Sequence, residues 1–187
     1  LARGGRLTGI GTHLYTLRRA TDDQGIGDFT ALGELAELAA GQGVSVLGLN
    51  PLHALFPGER ERASPYSPSD RRFLDPVYID VAALGTDTAP FAALSAKEAV
   101  DYTGVWAAKE AALKAAFAAF RPEPDFDRFV AEGGETLRRF AIHQAISAEY
   151  PGKGWRDWPG GLSDVDSASV ESFADAHETA VRFALWQ

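Results

Sequence analysis

Apolar residues recur along this chain with two different spacings, and the change from one to the other organises it. Residues 7–17, Leu-Thr-Gly-Ile-Gly-Thr-His-Leu-Tyr-Thr-Leu, read as a strand with glycines where close packing or a bend is needed. A turn-rich stretch follows and ends in Gly25-Ile26-Gly27-Asp28. Then Phe29, Leu32, Leu35, Ala36 and Leu38 fall at helical spacing, and Gly41 and Gly43 stop the helix. Asp28 is placed to cap it, because a carboxylate there accepts from the free amides of the first turn. Residues 44–49 form a short apolar run with almost no alternation, the pattern of a strand buried on both faces in a helix-covered parallel sheet. Strand, helix and buried strand in that order predict a βαβ unit.

Residues 54–76 are irregular and rich in Pro, Ser, Arg and Asp, a length of loop that in a compact domain is either functional or disordered. Residues 77–81 alternate enough to suggest a short extended piece. The second half is helical. Ser95 with Glu98 has capping-box spacing, and Tyr102, Trp106, Lys109, Leu113, Phe117 and Phe120 form a stripe that ends at Pro122. Asp125 can cap a second tract through Phe126, Phe129 and Val130, which breaks at Gly133-Gly134 and resumes with Leu137, Phe140, Ala141, Ala145 and Ile146. Residues 151–161, with Trp155 and Trp158 among Pro and Gly, read as a loop, and residues 167–187 as one last helical tract. The expectation is an α/β fold: a partial (β/α)8 TIM barrel with a large, mostly helical insertion after the second strand, since two or three strands cannot close a barrel. On that reading 1–53 is the first βαβ unit, 54–83 a long substrate-side loop and 84–187 the helical insertion, all within the N-terminal part of one barrel.

Composition narrows the partners. The 187 residues carry a net charge of -8, and basic residues occur as scattered pairs (Arg18-Arg19, Arg71-Arg72, Arg138-Arg139), which argues against a nucleic-acid partner. Cysteine is absent, so disulfides, thiolate metal sites and a Cys nucleophile are excluded in this chain. No apolar run approaches the length that spans a bilayer, and residues 2–6 hold no apolar signal core. The chain opens on Leu1 rather than Met, and its last residues still read as helix with no stop signal, so both ends are expected to be cuts through a longer protein.

Asn50, Pro51, Leu52 and His53 sit at the C-terminal end of the second strand, the end at which α/β barrels bind substrates. A lone His there also serves in packing or hydrogen bonding. Pro65 and Pro68 restrict the backbone around Tyr66, so that ring can be presented with little further loss of freedom on binding. It offers a flat apolar face and a hydroxyl; the competing reading is a plug in a barrel mouth. The carboxylates have plain roles: Asp28 a helix cap, Asp70 and Asp75 turn formers or loop ion pairs, Glu59 and Glu61 a solvated face with Arg60 and Arg62, and Asp80 a strand end. His13, His143 and His177 lack metal-ligand spacing. Trp155 and Trp158 could stack on a ligand, although a loop Trp pair pinning helices together is the plainer reading.

At Gly25-Ile26-Gly27-Asp28-Phe29 and Leu47-Gly48-Leu49-Asn50-Pro51-Leu52-His53-Ala54 the chain resembles the bacterial 4-α-glucanotransferase (amylomaltase, or disproportionating enzyme) family. The most specific stretch is Ala63-Ser64-Pro65-Tyr66-Ser67-Pro68-Ser69-Asp70-Arg71-Arg72-Phe73-Leu74-Asp75-Pro76-Val77-Tyr78-Ile79-Asp80-Val81, which looks like the loop after the second barrel strand in bacterial members. Asp101-Tyr102-Thr103-Gly104-Val105, Gly133-Gly134-Glu135 and the ending Arg182-Phe183-Ala184-Leu185-Trp186-Gln187 follow in the family's order, so the likeness covers about residues 7–187. Two positions depart from the pattern. Gln24 stands where the family commonly has Trp, and Thr12-His13 replaces a more usual pair; both read as drift.

The resemblance implies an α-retaining transglycosylase that moves α-1,4-glucan segments between maltooligosaccharides, in the cytoplasm and without cofactor or metal. It implies that Ser64 and Tyr66 line the glucan site near the cleavage point; Pro65 beside them, and Asn50 and His53 at the active-face end of the second strand, complete the candidate substrate-binding residues. Retaining chemistry needs two carboxyls about 5–5.5 Å apart across one glycosidic bond. The family carries its nucleophile and acid on later barrel strands, so no catalytic residue is expected within this sequence. A truncated barrel exposes strand edges, which makes self-association expected. The alternatives are another α-amylase-clan glycosidase, or a non-catalytic glucan-binding or helical interaction module.

Overall fold

The computed structural model describes residues 6–187; the opening stretch read above as lacking a signal core lies, but for Arg6, outside the described residues. It divides into two compact units, Leu1–Leu55 with Ala63–Ala112, and Phe56–Arg62 with Leu113–Gln187.

The first unit begins with strand β1 (Gly9–Thr12), helix α1 (Phe29–Gly41) and strand β2 (Val46–Leu49). The strands pair in parallel, Gly9 opposite Val46 through Thr12 opposite Leu49, so the order strand, helix, strand closes as a βαβ unit. The expected strand over 7–17 is shorter, because at Leu14–Thr16 the chain turns into a single 3-10 turn that buries Leu14. Asp28 does cap α1, accepting from the Ala31 amide at 2.8 Å. Gly27 is required by contact: a Cβ there would lie 1.9 Å from the Leu14 carbonyl oxygen. The expected burial of residues 44–49 on both faces is not met. Val46 is 48% exposed and Leu49 36%, since a two-stranded ladder offers too little surface to be enclosed on both sides.

After β2 come β3 (His53–Ala54) and β4 (Asp70–Leu74), an antiparallel pair that replaces part of the irregular segment expected over 54–76. The extended piece expected at 77–81 is instead a 3-10 turn at Pro76–Tyr78: Asp75 accepts from the Val77 amide and Pro76 presets the backbone angle of the first position. Ser95 is not a cap. It ends a short helix, α2 (Ala92–Ser95), and its hydroxyl donates back to the Ala92 carbonyl. The cap of α3 (Tyr102–Ala119) is Asp101, which accepts from Gly104 N at 2.8 Å.

In the second unit, α4 (Pro124–Glu149) breaks at Gly134, whose φ of 54° and ψ of -149° leave the helical region as the glycine pair led one to expect. Asp125 is not its cap; it sits in the first turn beside Arg128, behind Glu123 and Pro124. The final tract is two helices, α5 (Ala168–Ala176) and α6 (Glu178–Trp186), because His177 leaves the helical angles and stacks on Phe173 at 3.9 Å. Ser167 caps α5 by accepting from Val170 N. The core joins Ile142 and Ile146 of α4 to Trp158, Leu162, Val170, Phe173 and Val181. Arg60, expected on a solvated face, is 5% exposed.

Candidate functional site

The first unit builds its candidate site where β1 and β2 end together. Asn50 follows β2 directly and is 5% exposed. Its side-chain oxygen accepts from Leu14 N at 2.8 Å and its amide nitrogen donates to the Pro51 carbonyl at 2.8 Å. Asn50 thus ties the exits of both strands to each other, and its side chain is committed to backbone. His53, half-buried, opens β3 and pairs across the ladder with Leu74.

The segment bearing Ser64, Pro65 and Tyr66 is fastened at its base. Asp75 is 1% exposed, and one carboxylate oxygen accepts from Leu55 N at 2.6 Å while the other accepts from Val77 N at 2.8 Å. Its own amide donates to the Leu52 carbonyl at 3.0 Å. The Ser69 amide donates to the Ala54 carbonyl at 2.8 Å, and its hydroxyl to the Leu55 carbonyl at 2.8 Å. From this base the chain rises into a β-turn in which Ser67 N donates to the Ser64 carbonyl at 3.1 Å, with Pro65 at the second position, where its fixed φ suits the turn. Tyr66, at the third position, is 65% exposed, and Ser64 is exposed beside it. The turn therefore presents a ring to solvent from a rigid base, while Asn50 lies buried below; the five candidate residues are not one contiguous exposed surface. Arg72 pairs with Asp70 at 2.6 Å on the rising strand.

Sequence reasoning missed the polar cluster behind this base. Gln24 is fully buried: it donates to Asp80 at 2.5 Å and accepts from Val81 N at 3.3 Å. Arg19 donates to the second Asp80 oxygen at 2.8 Å and lies 3.8 Å from Asp28. Asp80, read as a strand end, is thus the hub that fixes the 3-10 segment against the Gly25–Asp28 turn. Burial pushes its carboxyl up, but hydrogen bonds from Thr30 and Gln24 and the charge of Arg19 outweigh that and hold it below the ordinary range. Burial raises Asp28. Lys109 of α3, fully buried, donates to the Ile79 carbonyl at 2.7 Å; burial lowers its pKa to about 8, with Asp28 and Asp80 opposing that shift. Gln24 was visible in the sequence as a departure from the family's pattern. In the structure it is a hydrogen-bonding partner for Asp80.

None of these carboxylates is poised as an acid–base pair: Asp28 and Asp75 cap turns, and Asp80 is bonded from several sides. Among the described residues no three metal-ligating side chains converge, and no helix is long and apolar enough to cross a membrane.

The sequence profile described as 4-alpha-glucanotransferase matches residues 12–187. The 4-alpha-glucanotransferase of Mycobacterium tuberculosis is 34% identical over 98% of this chain, which covers 28% of that protein. That of Haemophilus influenzae is 29% identical over 97% of the chain and 30% of its own length. The chain therefore spans less than a third of the curated relatives it matches. Among solved structures, amylomaltase from Corynebacterium glutamicum superposes with a TM-score of 0.70 at 25% identity, over 96% of this chain and 26% of that one. The fold is also that of amylomaltase from Streptococcus agalactiae in complex with acarbose, with a TM-score of 0.81 at 18% identity over 97% and 38% of the two chains. With a profile match over all but its first residues and relatives alike along its whole length, this chain belongs to the 4-alpha-glucanotransferase family.

Proposed function

We propose that this chain is the N-terminal part of the (β/α)8 catalytic barrel of a cytoplasmic 4-α-glucanotransferase, to which it contributes glucan contacts and no catalytic carboxylate. Residues 1–53 supply the first βαβ unit, 54–83 the substrate-side loop and 84–187 the helical insertion. Tyr66 offers its ring face to the C–H side of a glucosyl unit, and Ser64 and the tyrosine hydroxyl take its oxygens. Pro65 holds the turn, His53 borders it, and Asn50 serves by fixing the strand ends from beneath. The nucleophile and acid of the retaining double displacement belong to barrel strands outside these residues, as the missing carboxyl pair requires. No cofactor takes part.

The observation that carries this reading is an exposed Tyr66 on a Pro-stiffened turn whose base is clamped by Asp75 and Ser69. Such a platform loses little freedom when a sugar settles on it. Calorimetric titration with maltoheptaose tests it: the 187-residue chain should bind weakly, and Tyr66→Ala should remove most of that heat. Equal heats from both proteins would refute the assignment of Tyr66. The full-length protein given maltotriose should make longer oligomers plus glucose, whereas hydrolysis products alone would indicate a glycosidase of the same clan. The exposed apolar residues of the two-stranded ladder, Ile10, Val46 and Leu49, support the expectation that the chain alone self-associates.

A further inference from the structure

The exit of β1 carries an imidazole that no part of the reading above uses. His13 follows the strand directly, and its side chain is exposed. Its backbone is fixed on both sides. Leu14, next to it, is 0% exposed, and the Leu14 amide donates to the Asn50 side chain at 2.8 Å, which ties the exit of β1 to that of β2. The His13 carbonyl accepts from the Thr16 amide at 3.0 Å and from the Thr16 hydroxyl at 2.8 Å, closing the 3-10 turn that follows.

The ring is held as firmly as the backbone. It lies over Tyr15 with centroids 5.1 Å apart and planes 16° from parallel, and Tyr15 in turn meets Tyr102 of α3 at 6.5 Å. Stacking fixes the side-chain torsions before any ligand arrives, so little freedom remains to be lost on binding. A phenyl ring would stack as well. What imidazole adds is one donor and one acceptor on its two nitrogens in the neutral form. His177, stacked on Phe173 at 3.9 Å, directs its Nδ1 to the Phe173 carbonyl at 2.9 Å. Neither ring nitrogen of His13 has such a partner among the described residues.

Its location decides what such a ring can meet. His13 and the base of the Tyr66 turn lie at the same end of the β1–β2 ladder, since Asn50 receives Leu14 there and the nearby Leu52 carbonyl receives the Asp75 amide. In a barrel that is the end facing substrate. A sugar hydroxyl both donates and accepts, so it suits either nitrogen in either tautomer.

We propose that His13 is a specificity-determining residue of the glucan site, its imidazole hydrogen-bonding a hydroxyl of the bound α-1,4-glucan. A site built to bond a hydroxyl discriminates against sugars that lack it. The inference rests on the glucan reading above and not on the role of Tyr66.

Steady-state transfer by the full-length protein, with maltotriose varied and glucose release followed, tests it. His13→Ala should raise KM about fivefold and change kcat by less than about twofold, as expected when binding shared by ground and transition states is lost. His13→Phe keeps the stack on Tyr15 and removes both nitrogens, so it should raise KM as much. His13→Gln, which restores an amide donor and acceptor, should recover most of the loss. Far-ultraviolet circular dichroism should be the same for all three, because the side chain is exposed. An unaltered KM in His13→Ala would overturn the proposal, and so would an unaltered KM in His13→Phe, which would reduce the ring to packing. If Tyr66→Ala leaves transfer untouched while His13→Ala raises KM, the assignment of Tyr66 fails and that of His13 stands. A full-length protein without action on maltotriose would refute the glucan reading and this inference together.

Discussion

The two units differ in what their apolar interiors enclose. In the first, polar groups are buried among apolar ones: Gln24, Asp28, Asn50, Asp75, Asp80 and Lys109 are all at most 7% exposed, as are Leu14, Ile26, Val77, Tyr78 and Phe91. Their hydrogen bonds run between segments far apart in the chain, from Leu14 to Asn50, from Gln24 to Asp80 and from Leu55 to Asp75. In the second, the core is Ile142, Ile146, Phe173, Val181 and their neighbours, and most charges lie outside, as in Arg138 with Glu171 and Arg139 with Asp166, with Arg60 buried. Apolar burial is non-directional and gives stability in proportion to area, so it serves where helices need only pack. A buried hydrogen bond contributes little net free energy, yet it admits one geometry and penalises the rest. The unit that carries the Tyr66 turn is the one that adds buried directional contacts to its apolar core.

The largest test of this contrast is Ile146→Ala in the second unit. Ile146 is 1% exposed, and its truncation should cost about 3–4 kcal/mol, as large-to-small core changes do, read as a lower urea midpoint. The emission of Trp158, in the same core, is a suitable reporter for it, and that of Trp106 for the first unit.

Somewhat smaller should be Asp75→Ala, which strands the buried amides of Leu55 and Val77. At about 1–3 kcal/mol for each unsatisfied donor, partly relieved by water, a net loss of about 2–3 kcal/mol is expected. The distinguishing outcome is where the loss appears. Trypsin should cut faster at Arg62 and Arg71, on either side of the Tyr66 turn, under conditions in which the helices of the second unit resist. Uniform proteolysis across both units would show that Asp75 is merely one more stabilising contact.

The subtlest effect concerns pH. Lys109 has a folded pKa of about 8, below its ordinary value of 10.5. Between those values the unfolded chain binds more protons than the folded one, so stability should rise with pH across that window, by at most about 1.4 kcal/mol per pH unit. Below pH 8 the burial cost of the charged ammonium is fully present. Lys109→Met should abolish that rise, and a rise that persists in that variant would place the titrating group elsewhere.

Much of the fold could be read from residue spacing. The βαβ order, the Asp28 cap, the stripe from Tyr102 to Phe120 and the break at Gly133-Gly134 all depend on residues near one another in sequence. The errors also have physical causes. Ser95 and Asp101 both offer a side-chain oxygen near the start of a helix, and only the packed backbone decides which cap forms. His177 is compatible with a continuous helix until its ring stacks on Phe173. Residues 77–81 alternate like a strand, but with Pro76 and the Asp75 carboxylate at their start a turn is favoured.

The candidate site divides along the same line. Sequence alone determined that Tyr66 is carried on a proline-flanked segment after the second strand, because proline restricts its own backbone whatever surrounds it, and it carried the motifs by which the family is known. Only the tertiary structure decided that Asn50 is buried in a structural role, that Gln24 answers Asp80, and that Asp75 clamps both ends of the loop. Those assignments rest on hydrogen bonds between residues up to 57 positions apart, and the spacing of residue types along a chain does not encode which distant donor meets which acceptor.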